Sequence, residues 1–371
     1  MAVEKIHNRQ LLIMTFILRT TVAFAFLPVL TTGTARQDAW ASSILMYIGT
    51  VVLLLIIVGL AVKFPDKTIV QYSEILLGSV LGKVISFLVL WMFLHMAATE
   101  ARIYGELINI AFLTRTPVFL IQAGMIILAA ITVYLGIEVI GRMADFVLPW
   151  FIILIFVTII FSLVDVTPEN FEPILARGMA PVIKSSLTPI AIAIQILTVA
   201  MILPRTNEPN KGIKTVFVSI TFASFMVLVV SVVVVLVIGP ELGNNAVFPF
   251  LFTIRNVETG EVLERIEIFT VLAWGLGIYI TLSVYLYCGA KGISQWLNLE
   301  SYRPLVFPMA AIWTALSIHS FDTVYQLESF LAPEIIFPYA MTAIGIIYGF
   351  LWGGYLFKKL FVKRKGGNLE N

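Results

Sequence analysis

Residues 215–239 read TVFVSITFASFMVLVVSVVVVLVIG, an unbroken stretch without one charged side chain. At about 1.5 Å of rise per residue, a helix of this length spans the roughly 30 Å hydrocarbon core of a bilayer, and the run is far too long for a strand. The rest of the chain repeats the pattern. Apolar runs bounded by charge, Pro or Gly fall at 11–31, 40–62, 84–112, 117–138, 146–164, 187–204, 215–239, 265–288, 304–320 and 334–357. The 371 residues are 60% hydrophobic and 12% charged, where a soluble domain carries about 25% charged residues. The expected fold is therefore all-α: a single polytopic transmembrane domain over 1–371 with about ten membrane helices.

An even number of spans places both termini on one side. Sorting Lys and Arg by alternate loops puts sixteen of the 24 on that side and six on the other, leaving Arg19 and Arg102 within spans. By the positive-inside rule both termini are cytoplasmic. The first run resembles a signal sequence, with Lys5 and Arg9 ahead of it, but no small-residue cleavage site ends it and Arg19 interrupts it, so it reads as a retained helix. Ten helices divide into five plus five. Because five is odd, two homologous halves would insert with opposite topology, here repeat one over about 11–165 and repeat two over about 187–357, followed by a basic cytoplasmic tail over 358–371 that reads most simply as meeting anionic lipid and otherwise as a partner-protein contact. The corresponding spans 11–31 and 187–204 are both short, hydroxyl-bearing and marked by Pro near an end (Pro28, Pro189, Pro204). Residues 66–79 read as a short interfacial helix, and Phe248-Pro249-Phe250-Leu251-Phe252 as a surface-lying lid on the external face.

Polar groups inside the spans are costly and therefore informative. An arginine as deep as Arg19 costs about 2.5 kcal/mol or more unless it is paired, solvated or able to snorkel, so it reads either as a carboxylate or anion site beside Thr20 and Thr21 or as a structural ion pair. In the third run, His95, Thr99, Arg102, Glu106 and Asn109 fall on one stripe, with Glu100 and Tyr104 on the other face. Arg102 and Glu106, four apart, can clamp each other. Glu100, Arg102 and Glu106 are taken as structural charges, and His95 and Thr99 as better placed for a midplane ligand. Gln195 is the strongly polar side chain of 187–204, and Thr281 and Tyr285 share a face of 265–288. An amide, hydroxyls and an aromatic wall suit a small zwitterion or polyol; they equally suit ordinary interhelical hydrogen bonding.

The single cysteine, Cys288, allows no intrachain disulfide, and His7, His95 and His319 have no metal-ligand spacing. With no phosphate-binding glycine loop, Gly-x-Ser-x-Gly elbow or zinc-protease helix motif, the sequence argues against an enzyme and requires no cofactor.

Several motifs occur in order along the chain: Arg36-Gln37-Asp38-Ala39-Trp40, Phe64-Pro65, Arg102-x-x-Gly105-Glu106 with Thr116-Pro117, Gly136-x-Glu138-x-x-Gly141-Arg142, Phe248-Pro249 with Arg255, and Leu263-Glu264-Arg265-Ile266-Glu267 leading to Trp274. Together they resemble the B subunit of the nutrient germinant receptors of spore-forming bacteria, a branch of the amino acid/polyamine/organocation transporter superfamily. The resemblance implies a LeuT-like inverted repeat with the first and sixth helices unwound at the midplane. It also implies a spore inner-membrane complex with an A subunit and a lipoprotein C subunit, and a small nutrient, commonly an L-amino acid, as ligand; no nucleic acid is involved. The implied pocket is lined by Arg19, Thr20, Thr21, His95, Thr99, Gln195, Thr281 and Tyr285. Two departures stand out: the first span lacks the glycine that eases unwinding, and Gln195 stands where relatives are expected to carry Glu. The sequence leaves ligand sensing, proton- or cation-coupled amino acid transport and a purely structural subunit open as functions.

Overall fold

A bilayer core offers no water to backbone N–H and C=O groups, so each apolar run must close its own hydrogen-bond ladder as a helix. The computed structural model describes residues 4–25, 34–163, 166–245, 248, 251 and 267–364, nearly all of them helical. The helices are α1 (Asn8–Ala25), α2 (Ala39–Ala61), α3 (Ile69–Ala111), α4 (Val118–Leu135), α5 (Ile137–Ser162), α6 (Met179–Ile192), α7 (Gly212–Asn245), α8 (Glu267–Trp296), α9 (Arg303–His319), α10 (Val324–Leu331) and α11 (Pro333–Arg364). Among the described residues, eight helices are long and apolar enough to cross a membrane, or nine if α9 and α10, bent by 96°, form one span. The expected count was ten. The shortfall is α1, whose 18 described residues include Arg9 and Arg19 and whose continuation to 31, with Pro28, lies outside the described residues.

The short helix expected over 66–79 forms the first part of α3, beginning at Ile69. Thr68 caps it, accepting from Gln71 N while Gln71 Oε1 accepts from Thr68 N at 3.0 Å. It ends at Gly78, whose φ of 81° is in the left-handed region where glycine is favoured. The chain then doubles back so tightly that a Cβ on Gly82 would lie 2.6 Å from Glu74 Cα. The α6 span begins at Met179, eight residues before the apolar run, because Lys184 and Pro181 break the hydropathy without breaking the helix.

The span containing α6 is the innermost: 89% of its apolar stretch is buried in the bundle, against 33% for α4 and for α5. It does not stay α-helical. Beyond Ile192 it runs as a 3-10 segment over Ala193–Thr198, one α turn over Val199–Ile202, and a second 3-10 turn over Leu203–Arg205. Irregular backbone at membrane depth is tolerated only where protein covers it, which this position provides. Around it pack α1, α2, α3 and α8.

The face carrying the N-terminus is stitched together by residues 4–9. Ile6 N donates to Arg205 O at 2.8 Å and Asn207 N to Ile6 O at 3.0 Å, forming an isolated parallel bridge between Ile6 and Thr206. Glu4 pairs with Arg303 and Arg9 with Asp145, both at 2.9 Å. The opposite, expected lid is described at two positions, the buried Phe248 and Leu251, with Phe248 5.9 Å from the Trp274 ring. Pro249, Phe250, Phe252, Arg255, Leu263 through Ile266 and the tail beyond Arg364 lie outside the described residues.

Candidate functional site

The costly polar groups of four spans converge beside the 3-10 segment. Arg19 on α1 is 3% exposed, and its Nη2 reaches Thr50 Oγ1 on α2 at 3.5 Å. It lies near Glu100 on α3 and Tyr285 on α8, yet no ion pair joins Arg19 to Glu100. Glu100, 4% exposed, accepts from Gln195 Nε2 at 2.7 Å, so it connects α3 to the 3-10 segment. Gln195 lies beside the Tyr285 hydroxyl, but not in hydrogen-bond geometry. Gln195 Oε1, Tyr285 Oη and Thr281 Oγ1 are all buried without a hydrogen-bond partner in the protein. A buried polar atom left unpaired costs about 1–3 kcal/mol, so these three groups keep hydrogen-bonding capacity that the described protein does not use.

Local structure explains the convergence. Thr198 Oγ1 donates to Gln195 O at 2.7 Å, and Cys288 Sγ on α8 approaches Thr198 O at 3.8 Å, so side chains occupy carbonyls that a regular α-helical ladder would use. On α8, Gly277, Thr281 and Tyr285 recur every four residues and share a face. That face meets α1 closely at Gly277, where a Cβ would sit 2.2 Å from Thr21 Oγ1.

The structure brings together Arg19, Gln195 and Tyr285, with Thr281 on the same face as Tyr285 and Thr21 against that face. Thr20 and Thr21 return their hydroxyls to their own helix, donating to Phe16 O at 2.8 Å and Ile17 O at 2.7 Å, and α1 is helical through Arg19 to Ala25, with no unwinding at the expected place. His95 and Thr99 sit apart from the cluster. His95 Nδ1 is 3.3 Å from Tyr339 Oη on α11, its ring lies edge-on to Phe330 of α10, and Thr99 Oγ1 donates to His95 O at 2.9 Å. On the same stripe Arg102 binds Glu106 at 2.7 Å and donates to Ile318 O at 3.1 Å.

Glu100, read from the sequence as a structural charge, thus stands inside the cluster, and Thr50 joins it as Arg19's hydrogen-bond acceptor. The signal for Glu100 was present. Arg102 is satisfied by Glu106 four residues on, which leaves Glu100 as the acid within the apolar run 84–112 in need of a partner elsewhere. Nothing in the sequence distinguishes Thr50.

A family model described as spore germination protein, or spore permease, matches residues 5–323, a stretch that includes every member of the cluster. The chain belongs to the spore germination protein family. Spore germination protein KB of Bacillus subtilis (strain 168) is 26% identical over 318 residues, covering 85% of this chain and 84% of that protein. Spore germination protein YndE of the same organism is 24% identical over 270 residues, covering 71% and 73%. Among solved structures, MhsT in complex with L-phenylalanine superposes with a TM-score of 0.68 at 13% identity, covering 91% of this chain and 88% of that one. Mhp1, a nucleobase-cation-symport-1 family transporter in a closed conformation with bromovinylhydantoin bound, gives 0.70 at 14%, covering 94% and 78%. At such identities the likeness concerns the fold, and this spore germination family member has the LeuT-type transporter fold.

Proposed function

We propose that this spore germination family member is the ligand-sensing subunit of a nutrient germinant receptor, and that a small nutrient, an amino acid or similar, binds among Arg19, Thr21, Glu100, Gln195, Thr281 and Tyr285. The observation that carries the reading is the set of three buried, unpartnered polar atoms near a buried guanidinium and a buried carboxyl group that do not pair with each other. A bound polar molecule would take up those hydrogen bonds. Because the cluster joins α1, α3, the α6 span and α8, a ligand that contacts them differently in two bundle arrangements shifts the balance by its affinity difference. In this reading the shift passes to an A-type subunit and a lipoprotein C subunit in the spore inner membrane. Ten spans in two inverted repeats, with both termini cytoplasmic, complete the picture, supported by the sixteen-to-six division of Lys and Arg.

The transporter fold of the structural relatives favours a second reading, amino acid transport coupled to a proton or cation through the same site. Counterflow of labelled amino acid in proteoliposomes of the isolated protein separates the two: sensing predicts none, together with loss of nutrient-triggered germination on deletion. If Gln195→Leu and Thr281→Val leave the nutrient dose–response and protein abundance unchanged, the site assignment is wrong.

A further inference from the structure

A second polar site lies at the foot of the bundle, on the face that carries the N-terminus. A cavity of about 1120 Å³ opens there between the interfacial segment 66–77, the end of the α6 span and the end of α8. Its size is slightly above the range of about 300–1,000 Å³ typical of small-molecule sites. Four cations line it, Lys5, Lys67, Arg205 and Lys291, against two carboxylates, Asp66 and Glu74. The carboxylates both belong to the interfacial segment, whereas Arg205 and Lys291 come from the two spans that also carry Gln195 and Tyr285.

Arg205 and Lys291 are half-buried and interact electrostatically with each other. Neither forms an ion pair or a side-chain hydrogen bond among the described residues. Glu4, the carboxylate that also acts on Lys291, holds Arg303 at 2.9 Å and accepts from Ile137 N at 3.2 Å, and it is not among the residues lining the cavity. Lys291 Nζ stands 5.7 Å over the Tyr302 ring, a contact that leaves its ammonium donors free for a ligand. Arg205 is held in place through its carbonyl, which accepts from Ile6 N. Two like charges kept together in a partly dehydrated recess repel each other unless an anion bridges them, and a guanidinium with an ammonium is a pairing well suited to phosphate oxygens.

We infer that this cavity is an anion site for a phosphate group, with Arg205 and Lys291 as its principal ligands and Lys5 and Lys67 at its rim. The same chemistry is offered by a soluble phosphorylated metabolite and by an anionic phospholipid headgroup. Occupancy would tie the end of the α6 span to the end of α8 and so stabilise one arrangement of the helices above. The inference is independent of the nutrient reading, because it concerns different residues and needs no germinant.

The test uses the full chain in phosphatidylcholine nanodiscs, with inorganic pyrophosphate titrated at constant ionic strength and melting followed by tryptophan fluorescence. Pyrophosphate is expected to raise the melting temperature by several degrees over matched chloride. The Arg205→Gln/Lys291→Gln variant should shift half-saturation by about tenfold or more, equivalent to about 1.4 kcal/mol, while Arg205→Lys/Lys291→Arg retains binding. In nanodiscs containing phosphatidylglycerol, prior stabilisation with loss of the pyrophosphate effect assigns the site to lipid; an unchanged pyrophosphate effect assigns it to a soluble ligand. If the glutamine variant does not fold, Lys67→Gln should still weaken pyrophosphate by about two- to threefold. Equal responses to pyrophosphate and chloride, or equal half-saturation in wild type and whichever neutralised variant folds, overturn the inference.

Discussion

The α1 helix and the α6 span occupy corresponding places in the two halves expected from the sequence, and they treat their backbones in opposite ways. In α1 the hydroxyls of Thr20 and Thr21 fold back onto carbonyls four residues earlier, and the helix runs unbroken past the buried Arg19. In the α6 span, Pro189 removes a backbone donor and the chain continues as 3-10 from Ala193, with Gln195 reaching across to Glu100. One helix therefore contributes a charge from a regular scaffold, while the other contributes irregular backbone and an amide. Glu100 stands between them, accepting from Gln195 on one side and lying beside Arg19 on the other, so the two spans differ in backbone while sharing one acid.

The comparison can be broken most forcefully at Glu100. Glu100→Leu leaves Gln195 Nε2 buried without its acceptor and removes the acid beside Arg19, and a buried polar group left unpaired typically costs about 1–3 kcal/mol, and more where a charge is involved. The expected result is a large drop in melting temperature and abundance in detergent, with Arg19→Leu/Glu100→Leu recovering most of the stability but not the nutrient response. Additive losses in that double variant would show that the two charges act separately. Next in size, Gly277→Ala pushes a methyl into Thr21 and Phe151 and should cost about 1–3 kcal/mol by forcing α8 from the straight α1; recovery by an added Thr21→Ala would locate the clash in the melting data.

Tyr285→Phe separates function from stability. The hydroxyl has no protein partner, so its removal should leave melting within about 0.5 kcal/mol of wild type. The nutrient concentration for half-maximal germination should nevertheless rise by about tenfold, corresponding to one lost ligand hydrogen bond of about 1.4 kcal/mol. An unchanged dose–response would remove Tyr285 from the site. The smallest effect is expected for Pro189→Ala, which restores a backbone donor near the irregular segment and should change stability by about 1 kcal/mol or less. Measured as hydrogen exchange, protection should increase around 189–195 and stay constant in α1.

Much of this arrangement was legible from hydropathy, because a buried span must be apolar over most of its length. The apolar runs at 40–62 and 117–138 coincide closely with α2 and α4, and those at 265–288 and 334–357 begin within two residues of α8 and α11, which run on eight and seven residues beyond the expected ends. The start of the α6 span was missed because burial inside protein, unlike burial in lipid, tolerates a Pro and hydroxyls that lower hydropathy: Ser185 meets Ser42 at 2.6 Å, and Thr188 meets Leu331 O at 3.0 Å. In the cluster, Arg19, Gln195 and Tyr285 could be read individually because each is expensive in its helix. What periodicity could not supply was the neighbour each face of α3 meets. The wheel separated the His95 stripe from Glu100 as faces, but only packing reveals that the stripe meets α9, α10 and α11 while Glu100 bonds Gln195 and lies near Arg19.

The bridge between Ile6 and Thr206 has a mechanical corollary. Backbone hydrogen bonds there fasten the lead-in to α1 to the exit of the α6 span, so neither helix can be steered alone from below. Whatever prises one loose unseats the other, and the two unlike helices answer as a single lever.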